Sequence, residues 1–292
     1  MNKRNTVSEI EIAAARPFNA GIPHINGPSV YGASPNCDFS YYVPVCGERP
    51  YTVSVEGKLP PGLVLTPNGI IRGQAEKEGE WTVALRVENR LGSAAKKLCI
   101  KIQKDHLLLT PLMGWTSWNA CCVSVTQEMV RNAAHKLKEL GLADFGYSYI
   151  NIDSCWQGHR DTFTSPLMPN KRFPEMGELV RQIHQLGLKV GIYSTPMVHA
   201  WGSCENLPAL PGSTGYPLNP DAFHSYFGGC GKTHFEEADA RQWAAWQFDY
   251  LKYDWPKCDP VYTEYMSKAL RATGRDFVFS LTTGCKPEFM DT

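Results

Sequence analysis

In the second half of the chain, polar side chains recur at the ends of apolar runs. Asp153 follows the run 149–152, Tyr193 and Ser194 close 189–194, Asp254 ends 250–254, and Thr282 with Thr283 follows 277–281. Lys252 stands two residues before Asp254, so on a strand both side chains leave the same face. An ammonium beside a carboxylate keeps the acid ionised, which suits a nucleophile but equally describes a structural ion pair. Trp115, Trp118, Trp156, Trp201 and Trp255 are interleaved with these positions. Aromatic rings pack on the CH-rich faces of sugars and carboxylates accept hydrogen bonds from hydroxyls, so acids with tryptophans make a carbohydrate pocket. Any one of these tryptophans also reads as core, and any one aspartate as a helix cap.

The elements that must position these residues are legible from periodicity. Met129, Val130, Ala133, Ala134, Leu137 and Leu140 fall at helical spacing and are closed by Gly141. Met176, Leu179, Val180, Ile183 and Leu186 do the same before Gly187, and further helices are predicted over 236–248 and 261–272. Helix and strand therefore alternate from about residue 108, which predicts a parallel sheet, as a (β/α) barrel or a doubly wound sheet. In a barrel the strand C-terminal ends meet on one face, where active sites are built. The first hundred residues instead carry short β-rich runs at 39–45, 51–55, 63–65, 70–73, 81–87 and 97–102. Pro60-Pro61-Gly62, Pro67-Asn68-Gly69 and Arg90-Leu91-Gly92 punctuate them, and 81–87 alternates apolar with polar as a half-buried sandwich strand does.

Composition narrows the classes. The chain of 292 residues has 29 Lys+Arg against 29 Asp+Glu and is 43% hydrophobic, which excludes a disordered chain and a cationic nucleic-acid binder. It has no apolar stretch long enough to span a membrane. The basic start Met1-Asn2-Lys3-Arg4 is not followed by an apolar run, so no export signal is expected. His224, Cys230 and His234 lack the paired spacing of a zinc site, and neither a metal nor a cofactor is expected.

Two resemblances sharpen this reading. Leu59-Pro60-Pro61-Gly62-Leu63, Asn68-Gly69-Ile70-Ile71-Arg72-Gly73 and Gly79-Glu80-Trp81-Thr82-Val83 resemble bacterial immunoglobulin-like modules found beside carbohydrate-active enzymes. A spacer or packing role is expected for that module ahead of sugar binding. Four further segments, in order, resemble glycoside hydrolase family 27, the α-galactosidase and α-N-acetylgalactosaminidase family. They are Thr110-Pro111-Leu112-Met113-Gly114-Trp115-Thr116-Ser117-Trp118-Asn119 and Tyr149-Ile150-Asn151-Ile152-Asp153-Ser154-Cys155-Trp156. Then come Pro169-Asn170-Lys171-Arg172-Phe173-Pro174 with Gly187-Leu188-Lys189-Val190-Gly191-Ile192-Tyr193-Ser194, and Tyr250-Leu251-Lys252-Tyr253-Asp254.

The resemblance implies a multi-domain chain: a leader (1–26), an all-β immunoglobulin-like sandwich (27–103) and a (β/α)8 TIM-type barrel (108–292) with about five β/α units present. It implies a retaining mechanism on a galactoside or related oligosaccharide, with Asp254 as nucleophile forming a covalent glycosyl-enzyme. Lys252 would bond sugar hydroxyls, Trp118 would wall the pocket, Asp153 would hold the hydroxyls that distinguish galactose, and Tyr193 would line the rim.

The chain departs from the family pattern in three places. Ser154 follows Asp153 where the family has a second acid, which leaves α- or β-L-arabinopyranose-type substrates open. Ser280-Leu281-Thr282-Thr283 stands where an acid or polar sugar ligand is usual. The family's acid/base is an aspartate on the sixth strand; Asp259, Asp276 and Asp291 do not stand in that motif, so no acid/base is assigned. Residues from 108 onward are fewer than the ~250 an eight-stranded barrel takes. The expectation is a truncated member, weak or inactive in catalysis, its open edges closed by a missing segment or an oligomeric partner.

The family also uses disulfides in regions that here hold Cys155 with Cys121 or Cys122, and Cys204 with Cys258. Reduced cysteines in a cytoplasmic protein are the preferred expectation, with a secreted or periplasmic protein as the alternative. Two other functional classes stay open: a non-catalytic carbohydrate-binding protein, and a metal-dependent isomerase or lyase for which only Asp153 and Asp254 offer ligands.

Overall fold

The computed structural model describes residues 20–160, 166–197, 200, 234–254 and 260–282. Trp201, Cys204, His224, Cys230, Trp255, Cys258, Asp259, Thr283, Asp291 and most of the 1–26 leader lie outside the described residues. The chain divides into two compact units, Met1–Met113 with Ala134–Ser148, and Gly114–Ala133 with Tyr149–Thr292.

The first unit contains β1 (His24–Ile25), β2 (Val30–Ala33), β3 (Asp38–Tyr42), β4 (Val45–Cys46), β5 (Thr52–Glu56), β6 (Leu63–Leu65), β7 (Ile70–Gln74), β8 (Gly79–Asn89) and β9 (Gly92–Ile102). They form a four-stranded sheet in the order β2-β9-β8-β5, a three-stranded sheet β3-β7-β6, and the short pair β1-β4. Period-two alternation puts Val83, Leu85 and Val87 of β8 and Leu98, Ile100 and Ile102 of β9 on one face. There they share a core with Phe39, Tyr41 and Ile71 of the other sheet. The predicted run 39–45 is split because Pro44, between β3 and β4, has no N–H to give a ladder. At the Arg90-Leu91-Gly92 turn the Asn89 side-chain oxygen accepts the N–H of Leu91 (2.9 Å) and of Gly92 (3.2 Å), closing the β8–β9 hairpin. Strands β1 and β2 escape sequence reading because two- and four-residue runs carry no resolvable period.

Within the same unit the segment Ala134–Ser148 is fastened to the strands through Asp144. This carboxylate is buried; it accepts the Tyr42 hydroxyl at 2.9 Å and Arg49 Nη2 at 2.9 Å, while Asn26 Nδ2 donates to its backbone oxygen at 2.7 Å. The Lys138 ammonium lies 3.3 Å over the Tyr42 ring, and burial pushes its pKa down to about 8 against the opposing pull of Asp144.

The second unit holds β10 (Gly114–Thr116), α1 (Ser117–Cys121), the start of α2 (Gln127–Glu139), β11 (Tyr149–Ile152), α3 (Met176–Gln185), β12 (Lys189–Ser194), α4 (Glu236–Ala245), β13 (Tyr250–Tyr253), α5 (Pro260–Ala272) and β14 (Val278–Leu281). All five strands are parallel and lie in sequence order, β10-β11-β12-β13-β14. Sequential order decides between the two predicted architectures: a doubly wound sheet reverses its order at a switch point, and a barrel does not. The interior strands β11, β12 and β13 are largely buried, whereas β14 is half-buried throughout. Helix α4 stops short of the predicted 248 because Gln247 takes a left-handed conformation (φ 68°).

Registers stack the inward side chains in rows. Asn151, Gly191 and Tyr250 form one row, and a Cβ at Gly191 would lie 2.1 Å from Asn151 Oδ1 and 2.5 Å from the Tyr250 ring. Only glycine fits between those two side chains. The row above brings Tyr193, Lys252 and Ser280 together, with Asp153 one step beyond the end of β11 beside Tyr193. At the foot of the sheet Asp249 joins three elements: its carboxylate accepts His184 Nε2 (2.7 Å), the Val190 N–H (2.9 Å) and Arg275 Nη2 (3.0 Å).

Candidate active site

Asp153, Lys252 and Asp254 converge just beyond the C-terminal ends of β11 and β13. Asp153 is 3% exposed and Asp254 8%, so both carboxylates need partners in place of water. Asp153 has them: Oδ2 accepts Lys252 Nζ at 2.8 Å and Thr116 Oγ1 at 3.3 Å, and Oδ1 accepts the Ser154 N–H at 2.8 Å. Its own N–H donates to Ser117 Oγ at 2.9 Å. A carboxylate offers about four acceptor sites, so this one is held rigidly with about one left for an incoming hydroxyl.

Lys252 bridges the two acids, with Nζ 3.8 Å from Asp254 Oδ2. Its side chain is one-quarter exposed and its ammonium lies 5.2 Å from the centroid of the Tyr193 ring. The Asp254 N–H continues the ladder to Ser194 O at 2.9 Å, which fixes the backbone at the strand end. Its Oδ1 accepts the Thr282 hydroxyl, leaving Oδ2 turned toward Lys252 with no hydrogen-bond donor among the described residues.

Of the residues expected from sequence, Asp153, Lys252, Asp254 and Tyr193 come together. Tyr193 is fully buried beneath Lys252, so it supports the lysine and does not line an exposed rim. Trp118 is half-buried on α1, one residue after the Ser117 that holds Asp153. Trp156 is wholly buried, its indole N–H donating to Tyr193 O at 2.8 Å, and so belongs to the core. Ser154 is also fully buried and contributes its backbone N–H to Asp153.

The disulfide expectation is corrected. Cys155 is disulfide-bonded, but Cys121 and Cys122 are free thiols, so its partner lies outside the described residues. An all-reduced set of cysteines is overturned by the same observation. His234, one of the three residues that lack zinc-site spacing, contacts Glu236 Oε1 at 3.2 Å and packs near Tyr262 and Tyr265.

Sequence reasoning assigned no role to Thr116, Ser117, Arg160 or Asp239. Arg160 and Asp239 form a buried bidentate pair (2.7 and 2.6 Å), and Asp239 Oδ1 also accepts the Leu167 N–H at 2.8 Å. Flanking those two anchors, Gly158 N–H donates to Met168 O and Met168 N–H to His159 O. The segment after Asp153 is thereby clasped to α4. Thr116 and Ser117 could have been suspected from their place at the end of the first strand; a pair separated by 79 positions leaves no such signal.

The five parallel strands, in sequence order with polar side chains gathered at their C-terminal ends, are arranged as in part of a TIM barrel. Residues 110–290, more than half of the chain, match the melibiase family described as alpha galactosidase A, and the chain belongs to that family. It is 40% identical over 157 residues to probable alpha-galactosidase B of Emericella nidulans, covering 52% of this chain and 29% of that protein. With the probable alpha-galactosidase of Dictyostelium discoideum it shares 36% over 182 residues, 61% of this chain and 41% of that one. A crystal structure from Bacteroides fragilis, described as a putative alpha-galactosidase/melibiase, superposes with a TM-score of 0.76 at 36% identity, covering 94% of this chain and 54% of that chain. The chain thus spans well under half the length of these two curated relatives and about half of that solved structure.

Proposed function

We propose that this chain carries the nucleophile half of a retaining α-galactosidase site, acting on terminal α-D-galactosyl or closely related residues. The observation that carries the reading is the placement of Asp254 Oδ2, which has no hydrogen-bond donor among the described residues and faces a lysine that Asp153 already holds. Asp254 Oδ2 would attack the anomeric carbon, the aglycone would leave with its electron pair, and a covalent glycosyl-Asp254 would result. Asp153 and Lys252 would take the sugar hydroxyls, the acid accepting and the ammonium donating, and Trp118 would pack on the ring. With Ser154 where a second acid is usual, a galactose-like sugar lacking the 6-hydroxyl is also an admissible substrate.

No acid/base is assigned among the described residues; without such a group, ordinary aglycones would react about 10²–10⁴-fold more slowly, and an activated one would be little affected. The immunoglobulin-like sandwich would serve as packing for Ala134–Ser148, a reading supported by Asp144.

The test is a stopped assay with 2,4-dinitrophenyl α-galactoside. One equivalent of phenolate should be released in a burst, followed by slow turnover that azide accelerates, and Asp254→Asn should abolish the burst. Saturable galactose binding with no burst would support the non-catalytic carbohydrate-binding reading instead.

A further inference from the structure

The carboxylate of Asp254 is asymmetric. Parallel register places Tyr253 opposite Leu281, so the next residues along each strand, Asp254 and Thr282, become lateral neighbours. The single hydroxyl proton of Thr282 is donated to Oδ1, while among the described residues the donor near Oδ2 is the Lys252 ammonium, at 3.8 Å and already bonded to Asp153. We infer that Thr282 is a positioning residue for Asp254: it pins Oδ1, leaves Oδ2 as the attacking atom, and favours return of the free carboxylate when the glycosyl ester is broken. The inference rests on the proposed nucleophilic role of Asp254.

The chemistry follows from how a donor ranks its acceptors. In the ester, Oδ2 is bonded to the anomeric carbon and Oδ1 is a neutral carbonyl; when the anomeric carbon–Oδ2 bond breaks, the electron pair returns and both oxygens share the negative charge. Hydrogen bonds to an ionised acceptor are roughly twice as strong as those to a neutral one. The Thr282 bond therefore strengthens as the ester is cleaved and weakens as it forms, so it speeds cleavage and gives no such help to ester formation. Its proton is not transferred. The methyl group of threonine plays no part in this, so serine should substitute and valine should not.

The experiment uses the full chain and 5-fluoro-α-galactosyl fluoride, which labels the nucleophile with loss of fluoride. Adduct formation and, after removal of excess reagent, azide-driven reactivation are followed by intact mass for the native chain, Thr282→Val and Thr282→Ser, with thermal melts confirming that each is folded. Reactivation of Thr282→Val should be slowed about tenfold, its rate of labelling should stay within about threefold, and Thr282→Ser should behave as the native chain. Unchanged reactivation in Thr282→Val overturns the inference, as does equal slowing in the serine variant or a parallel fall in labelling and reactivation. Failure of the native chain to label at Asp254 overturns the nucleophile assignment itself, and the inference with it; the two failures are thus told apart by the native control.

Discussion

Replacing Asp249 by asparagine tests how the foot of the sheet sets the register of the site above it. Asp249 immediately precedes β13, the strand that delivers Lys252 and Asp254, and it receives hydrogen bonds from His184, Val190 and Arg275. Burial would push this carboxyl up, but Lys189, His184 and Arg275 outweigh it and hold it well below the usual carboxylate range. Asparagine keeps the shape, loses the charge, and takes from Arg275, whose side chain is 13% exposed, the ion pair at 3.0 Å. Removing one partner of a buried ion pair costs about 3–5 kcal/mol. Arg275 and His184 retain some contact with water, which argues for the lower end, about 3 kcal/mol. For a unit of this size that is a fall in Tm of roughly 6–12 °C. The sign with pH follows from a folded pKa below the unfolded one: the stabilisation is complete above about pH 4 and is lost as pH falls below it. Far-UV circular dichroism melts at pH 7 and pH 3 should therefore show the larger difference between native chain and Asp249→Asn at pH 7. A difference below about 2 °C at pH 7, or one undiminished at pH 3, refutes the reasoning.

Lys252→Met should cut labelling by an activated galactosyl fluoride by about 100-fold or more, since it removes the ammonium that both buried carboxylates share; inactivation kinetics read this directly. Gly191→Ala should lower stability by about 1–3 kcal/mol, because Asn151 and Tyr250 must both move, and urea unfolding measures the loss. In the first unit, Asp144→Ala strips Tyr42 and the half-exposed Arg49 of their shared acceptor and should cost about 1–2 kcal/mol, seen in the same titration. Alkylation without reductant should modify the peptide bearing Cys121 and Cys122 but leave the Cys155 peptide untouched until a reductant is added.

Much of the catalytic unit was visible in the sequence because each strand is a short apolar run that ends in a polar residue. That signature located β11 to β14 and put Asp153, Tyr193, Lys252 and Asp254 at one level. The spacing of Lys252 and Asp254 sufficed to place both on one face, since side-chain alternation is a local property of a strand. What lies across strands was not visible. That Thr282 meets Asp254 depends on the β13–β14 register, and that Tyr193 sits under Lys252, buried, depends on the β12–β13 register. The Arg160–Asp239 clasp joins residues on either side of a long intervening stretch, where no periodicity links them. The disulfide pairing failed for the same reason: Cys121 and Cys122 lie in the right region of the chain, but proximity in sequence pattern does not bring their sulfurs to Cys155.

The central claim is that Asp254 is the nucleophile, and peptide mapping after 5-fluoro-α-galactosyl fluoride treatment tests it most directly. Proteolysis and tandem mass spectrometry should place one fluorogalactosyl group on the Asp254 side chain, with none on Asp254→Asn. An adduct on Asp153 or elsewhere, or no adduct on a folded chain that still binds galactose, would contradict it.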